Sequence, residues 1–114
     1  MSAYALAHLR TPTINDDTLE YIERIQATMD PYGGRFLVHG ATVEVKEGEW
    51  PGTVVVLEFP DLEAARRWYA SPAYQEILPL RLNSIDGATI LVDGVGPEYD
   101  AAHTASVLRT AGAT

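Results

Sequence analysis

The chain has no cysteine and a single lysine, Lys46, among its 114 residues. Without cysteine, disulfide bonds and thiolate chemistry are excluded, and a reducing compartment such as the cytoplasm is expected. Lysine and arginine number 8 against 16 acidic residues, so the formal net charge is −8. A surface of that sign repels phosphate backbones and anionic lipids, which argues against nucleic-acid and membrane partners.

Long apolar runs are missing as well. No segment approaches the roughly 20 apolar residues of a membrane-spanning helix, and the start, MSAYALAHLR, lacks the basic-then-apolar order of a signal peptide. Cofactor motifs are also missing, since the sequence has no glycine-rich phosphate loop before a helix, no cysteine pair and no HExxH. We therefore expect neither a cofactor nor a metal.

What is present indicates one folded domain. Apolar residues make up 46% of the chain, and its length leaves room for one hydrophobic core. Asn15 or Asp16, then Asp61, are typical helix caps, and apolar spacing defines the remaining elements. In the first half we predict a strand Tyr4–Leu9, a helix ending at Asp30-Pro31, and a strand Arg35–Glu47 interrupted at Gly40-Ala41. A hairpin connection 47–53 then leads to a strand Val54–Phe59 and a helix after Asp61. A further helical piece runs from Ser71-Pro72 to about Leu82, where Pro79 kinks or breaks it, and a strand Ala88–Val92 follows.

The order β-α-β-β-α-β predicts a ferredoxin-like α+β fold. Two right-handed crossovers joined by a hairpin give a four-stranded antiparallel sheet with the helices on one face. Core positions at helical spacing are Leu19, Ile22, Ile25 and Met29 in the first helix, and Trp68, Tyr69 and Tyr74 in the second helical region. The other sheet face stays uncovered, and a second copy packed face to face is its simplest cover. We therefore expect a homodimer.

The stretch YGGRFLVHG (32–40) places polar side chains in an apolar strand. Alternation puts Arg35 and His39 on one face. Counting back from the hairpin places His39 roughly opposite Phe59 and beside Glu58, whose side chain points away from the helices. His39 and Glu58 are therefore the candidate catalytic acid–base pair, because burial and a nearby opposite charge shift both pKa values. A satisfied structural pair is the alternative.

Five further side chains are candidate ligand contacts, namely Tyr4, His8, Arg35, Trp50 and Arg81. Arg81 can clamp a carboxylate through two hydrogen bonds, and an internal salt bridge is the alternative in so acidic a chain. Trp50 either covers a pocket mouth or packs on a partner. His8, His39 and Glu58 have the chemistry of metal ligands but no metal-binding spacing, so no metal site is expected.

Three segments taken in order resemble one protein family. They are YGGRFLVHG, then EGEWPGTVVVLEFP, then A-x-x-W-Y-x-S-P-x-Y-Q followed by Arg81. Over roughly Tyr4 to Val95 their order and spacing resemble the small bacterial family DUF1330, a domain of unknown function. The resemblance implies the dimeric α+β barrel superfamily, in which two ferredoxin-like sheets enclose a shared interior. Its members include cofactor-independent monooxygenases, muconolactone isomerase-like enzymes and haem enzymes, so the resemblance implies a fold and no particular reaction.

The chain continues beyond that family pattern. We expect a domain over residues 1–95 and an extension over 96–114, helical from about Glu98 to Thr110, which packs on the domain or the partner as an arm or, alternatively, forms a lid.

The favoured function is binding of a small apolar or aromatic molecule in a pocket, either between sheet and helices or between two sheets. Its chemistry would be proton transfer or oxidation without a cofactor. The alternative is a non-catalytic dimeric structural or regulatory module, which requires a filled interior.

Overall fold

The computed structural model describes residues 1–112, and its elements follow the predicted order. They are β1 (Ala3–Leu9), α1 (Asp16–Met29), a short 3-10 turn (Asp30–Tyr32), β2 (Arg35–Val38), β3 (Thr53–Phe59), α2 (Leu62–Ala70), α3 (Pro72–Leu82), β4 (Gly87–Asp93) and α4 (Ala101–Gly112).

The four strands form one antiparallel sheet in the order β2-β3-β1-β4. β1 is central, pairing from Ala3↔Phe59 to Leu9↔Thr53 with β3 and from Ala3↔Asp93 to Leu9↔Gly87 with β4. The core lies between this sheet and α1, α2 and α3, and its largest fully buried side chains are Trp68, Tyr74, Phe59, Met29 and Ile77. The predicted ferredoxin-like fold is confirmed.

Side-chain caps set the helix starts where the sequence predicts them. Asn15 Oδ1 accepts a hydrogen bond from the Thr18 N–H at 2.9 Å, and the Asn15 N–H donates to Thr18 Oγ1 at 2.9 Å. Asp61 Oδ1 accepts from Ala64 N–H at 2.7 Å in front of α2. These bonds satisfy N–H groups that have no partner within the first helical turn.

The predicted break at Pro79 is wrong, since α3 continues through Pro79 to Leu82. Pro79 lies in the last turn of α3, so its missing N–H removes one helical hydrogen bond. Only three residues of the helix follow it. The buried stripe of α1 also differs, because Leu19 and Ile22 are 45% and 41% exposed.

Threonines take the buried positions on α1. Thr18 and Thr28 are buried together with Ile25 and Met29. Burial of a hydroxyl costs little when it is hydrogen-bonded, and both hydroxyls are: Thr18 Oγ1 donates to the Thr13 carbonyl at 2.8 Å, and Thr28 Oγ1 to the Ile25 carbonyl at 2.6 Å.

β2 is much shorter than predicted. It ends at Val38, and residues 39–52 connect it to β3 without helix or strand. A register shift between Phe36 and Val38 places two residues of β2 opposite one of β3, which is a β-bulge. The bulge interrupts the alternation of faces, so His39 stacks on Phe36, on the helix side of the sheet.

The opposite face of the sheet is open and largely apolar, as predicted. The register aligns on this face Tyr4, Leu6 and His8 of β1, Val54, Val56 and Glu58 of β3, and Ile90 and Val92 of β4. None of these side chains is buried, and Ile90 is 52% exposed. No helix within residues 1–112 is long and apolar enough to cross a membrane.

The predicted C-terminal helix is present as α4. Each of its residues except Thr104 is exposed and none is buried, so α4 does not dock in the core of its own domain. Val107 and Leu108 carry exposed apolar side chains. Residues 113–114 of the predicted extension lie outside the described residues.

Candidate functional site

A cavity lies between the sheet and the helices that cover it. Its volume is about 80 Å³, well above the roughly 10–15 Å³ that a single water molecule requires. Its floor includes Ala5 and Ala7 of β1 and Leu57 of β3, and its roof includes Ile25 of α1 and Trp68 of α2. The small alanine side chains leave space that the helix side chains do not fill.

Aromatic rings line the helix side of the cavity. The rings of Trp68 and Tyr74 lie 4.2 Å apart between centroids, and Trp68 Nε1–H donates to Thr28 Oγ1 at 3.0 Å. Because the indole N–H is already satisfied, this wall presents ring surface to the cavity. Such a wall suits a flat apolar ligand.

Arg81 lines the same cavity and is 6% exposed. Its Cζ lies 5.7 Å from the ring centre of Tyr21, whose hydroxyl is 2.8 Å from that of Tyr74. None of the ion pairs within residues 1–112 includes Arg81, so the internal salt bridge considered from the sequence is not formed there. Burial, reinforced by Tyr74, raises the pKa of the Tyr21 hydroxyl, which therefore stays protonated at neutral pH.

His39 lies at the mouth of the cavity. It is exposed, it lines the cavity together with the exposed Ile22, and its ring stacks on Phe36 with centroids 4.7 Å apart. An imidazole in this position has access both to solvent and to a molecule in the cavity, which general acid–base chemistry requires.

Glu58 lies on the other side of the sheet. It pairs with Tyr4 across β1 and β3 on the open face, where Arg35 binds its Oε1 at 2.7 Å. Hydrogen bonding to Arg35 lowers the pKa of the Glu58 carboxyl and keeps it ionised. The predicted contact between His39 and Glu58 is therefore wrong. The bulge turns His39 to the helix side, and the 39–52 connection is longer than the tight hairpin that the register assumed.

His8 and Trp50 meet outside the cavity. Their rings stack 4.1 Å apart with an interplanar angle of 23°, and His8 Nε2–H donates to the Pro51 carbonyl at 2.6 Å. Trp50 thus packs on its own chain, at the end of the 39–52 connection. Within residues 1–112 no three histidine or carboxylate side chains are grouped so that they could hold a metal ion.

The sequence patterns miss three polar groups of the cavity. Tyr21 and Thr89 are not singled out, and Tyr74 is assigned to the core without a role for its hydroxyl. Thr89 Oγ1 is buried without a hydrogen-bond partner, the one such side-chain atom in the described part of the chain. Alternation of side chains along β4, GATILVD, could have identified Thr89 as a residue of the helix side, where it pairs with Ala7 of β1.

Known proteins share this fold. A protein of unknown function from Rhodopseudomonas palustris has a TM-score of 0.59 at 16% identity, with 84% of each chain covered. A variant of SnoaB, a cofactor-independent oxygenase from Streptomyces nogalater, has a TM-score of 0.58 at 14% identity, covering 87% of this chain and 98% of SnoaB. A dimeric ferredoxin-like protein of unknown function from Thermobifida fusca has a TM-score of 0.53 at 17% identity, covering 82% and 92%.

These identities show a common fold and no common reaction. No curated protein matches the sequence. Residues 2–95, however, match the model of a family described as a domain of unknown function. Since that match spans most of the chain, this protein belongs to the DUF1330 family.

Proposed function

We propose that this protein binds a small, flat, apolar or aromatic molecule in the cavity between its sheet and helices. The observation that carries the proposal is the aromatic-walled space of about 80 Å³ inside the domain core. Protein cores are otherwise closely packed, so a space of this size between sheet and helices is room that a small ligand could occupy.

The chemistry of the proposal needs no cofactor. His39 is the acid–base residue, because it is the titratable side chain at the cavity mouth and imidazole is suited to proton transfer near neutral pH. SnoaB, described as a cofactor-independent oxygenase, supports such chemistry on this fold. Glu58, on the opposite face of the sheet, has no part in this proposal.

The same proposal includes a homodimer formed through the open sheet face. Leu6, Val56 and Ile90 lie side by side across three strands of that face, and exposed apolar patches of this kind mark interfaces. Two proteins with the same fold are described as dimeric. Packing two sheets face to face would bury both patches and leave the helix-side cavities free.

The extension over residues 96–114 is the second contact with the partner. It follows the family domain, and α4 presents Val107 and Leu108 to solvent at 54% and 66% exposure. Its own domain offers these side chains no cover, so the second copy is the proposed site for this arm. Ending the chain after Val95 should leave the domain folded and weaken the dimer, as measured by sedimentation over a dilution series. An unchanged dissociation constant of the dimer would contradict a role for the extension as an arm on the partner.

Filling the cavity tests the main proposal. Phenol, indole and naphthol are titrated while the tryptophan fluorescence and the heat of binding are recorded. Ala7→Leu occupies the cavity floor and should abolish saturable binding, whereas Ala73→Leu, exposed on α3 outside the cavity, should bind as the parent does. His39→Ala should retain binding and lose any turnover.

The non-catalytic module makes the opposite prediction. If no probe binds and Ala7→Leu simply raises thermal stability, the cavity is a packing defect and the structural or regulatory dimer is favoured. The cytoplasmic location expected from the lack of cysteine stays a prediction.

A further inference from the structure

Arg81 is a buried cation without an anionic partner in the described part of the chain. It is 6% exposed, and no carboxylate within residues 1–112 forms an ion pair with it. Buried charges are normally paired, because loss of hydration is otherwise uncompensated. The chain has 16 acidic residues against 8 basic ones, so carboxylates that could pair with an arginine are in excess.

Two features offset part of this cost. Arg81 lies in the last turn of α3, where the carbonyl end of a helix carries about half an elementary negative charge. The Tyr21 ring, 5.7 Å from Cζ, adds a cation–π contact. The hydroxyls of Tyr21 and Tyr74 also interact with the guanidinium. None of these groups supplies a negatively charged oxygen to its five N–H donors, which lie in one plane.

The neighbouring hydroxyls also need an acceptor. Tyr21 and Tyr74 share one hydrogen bond of 2.8 Å, in which one hydroxyl donates and the other accepts. The accepting hydroxyl still has a proton to donate, and no second acceptor for it appears among the hydrogen bonds of residues 1–112. Thr89 Oγ1, also in the cavity lining, is buried and has no hydrogen-bond partner among residues 1–112. Around Arg81 the cavity therefore offers several donors, and no carboxylate within residues 1–112 forms an ion pair there to accept from them.

We propose that the ligand is a small aromatic monocarboxylate whose carboxylate binds Arg81 and the Tyr21–Tyr74 hydroxyl pair. The ring of the ligand lies along the aromatic wall that Trp68 forms. A planar carboxylate matches the guanidinium through two parallel hydrogen bonds. A phosphate ester would bring nearly two charges to a single cation. The inference rests on the proposed function, because it uses the same cavity.

The test compares two probes of the same shape, benzoate and benzamide, by calorimetric titration. The parent protein should bind benzoate about tenfold or more tightly than benzamide, as expected for charged against neutral hydrogen bonding. Arg81→Met should bind the two probes equally. Arg81→Lys, which keeps the charge and loses the planar fork, should fall between. Tyr74→Phe should weaken benzoate more than benzamide.

Each outcome is informative. Equal binding of the two probes to the parent protein, or a benzoate preference that survives Arg81→Met, overturns the carboxylate site and leaves the apolar cavity standing. Failure of both probes and of phenol, indole and naphthol defeats the proposed function, and this inference fails with it. Arg81→Met should fold, because removing an unpaired buried charge is not expected to destabilise the domain.

Discussion

The indole of Trp50 lies flat against the imidazole of His8, with ring centroids 4.1 Å apart. The hydrogen bond from His8 to the Pro51 carbonyl lies beside this stack, so two contacts tie the end of the 39–52 connection to β1. Most of that connection is exposed and has no regular structure. These contacts therefore hold this end of the connection against β1.

Replacing Trp50 with alanine should release the connection. Lys46 lies within it with its side chain 78% exposed, which gives trypsin a specific site. We expect Trp50→Ala to be cleaved after Lys46 several-fold faster than the parent, because cleavage requires local opening. Trp50→Phe preserves a stacking ring and serves as the control. Equal cleavage rates, measured by mass spectrometry over time, would show that the stack does not restrain this segment.

The ion pair between Arg35 and Glu58 predicts a pH dependence of stability. Hydrogen bonding to Arg35 lowers the pKa of Glu58 from its ordinary value of 4.5. A carboxyl with a lowered folded-state pKa contributes stability above its ordinary pKa, and that contribution is lost as the pH falls through the folded value. Arg35→Gln should therefore be less stable than the parent at pH 7, with a difference that shrinks below about pH 4.5.

Urea unfolding at a series of pH values measures this difference. Arg66→Gln is the matched control, because Arg66 is exposed on α2 and forms none of the ion pairs within residues 1–112. If the loss caused by Arg35→Gln is the same at every pH, Arg35 acts through packing and not through its charge.

The Thr89 hydroxyl has no hydrogen-bond partner in the described part of the chain, which predicts a stabilising substitution. Thr89→Val keeps the shape of the side chain and removes a buried polar atom that has no partner, so we expect a gain of about 1 kcal/mol in the free energy of unfolding. Thr89→Ser retains the hydroxyl, so its free energy of unfolding should not rise. A loss of stability on Thr89→Val would mean that the hydroxyl already has a partner, such as ordered water.

Local patterns were sufficient to predict the framework. Asn15 and Asp61 cap the helices that the sequence assigns to them, and alternation in β1 correctly separates Tyr4 and His8 on the open face from Ala5 on the helix side. These features depend on a few neighbouring residues. The open apolar face follows from the order of these elements, because both helical regions pack on one face of the sheet and leave the other uncovered.

The site itself depended on long-range geometry. One extra residue in β2 turns His39 to the other face, and a bulge arises from pairing with β3 that no local pattern records. Arg81 is a candidate by residue type, yet only the three-dimensional structure shows that no carboxylate within residues 1–112 forms an ion pair with it. Burial of Thr18 likewise depends on its hydrogen bonds and not on its polarity.

Two glycines with left-handed backbones predict different costs. Gly52 has φ +89°, and a Cβ there would overlap the Leu9 carbonyl oxygen. Gly40 has φ +76°, and a Cβ there would have no atom of residues 1–112 within 4 Å apart from its chain neighbours. Gly40→Ala should lower the free energy of unfolding by only about 1–2 kcal/mol, the cost of a left-handed backbone for a residue with a Cβ. Gly52→Ala should lose more, because β1 must also shift. Equal losses in urea unfolding would show that the chain around Gly52 relaxes freely.

The proposed dimer depends on the centre of the open sheet face, where Val56 pairs with Leu6. Val56→Asp would place an unpaired charge between two sheets, at a cost of several kcal/mol, so we expect the dimer constant to weaken more than about a hundredfold. Val45→Asp makes the same change at an exposed residue of the 39–52 connection and should sediment as the parent does. A parent protein that sediments as a monomer would refute the homodimer. A Val56→Asp variant that still dimerises normally would show that the two chains meet through another surface, most directly through α4.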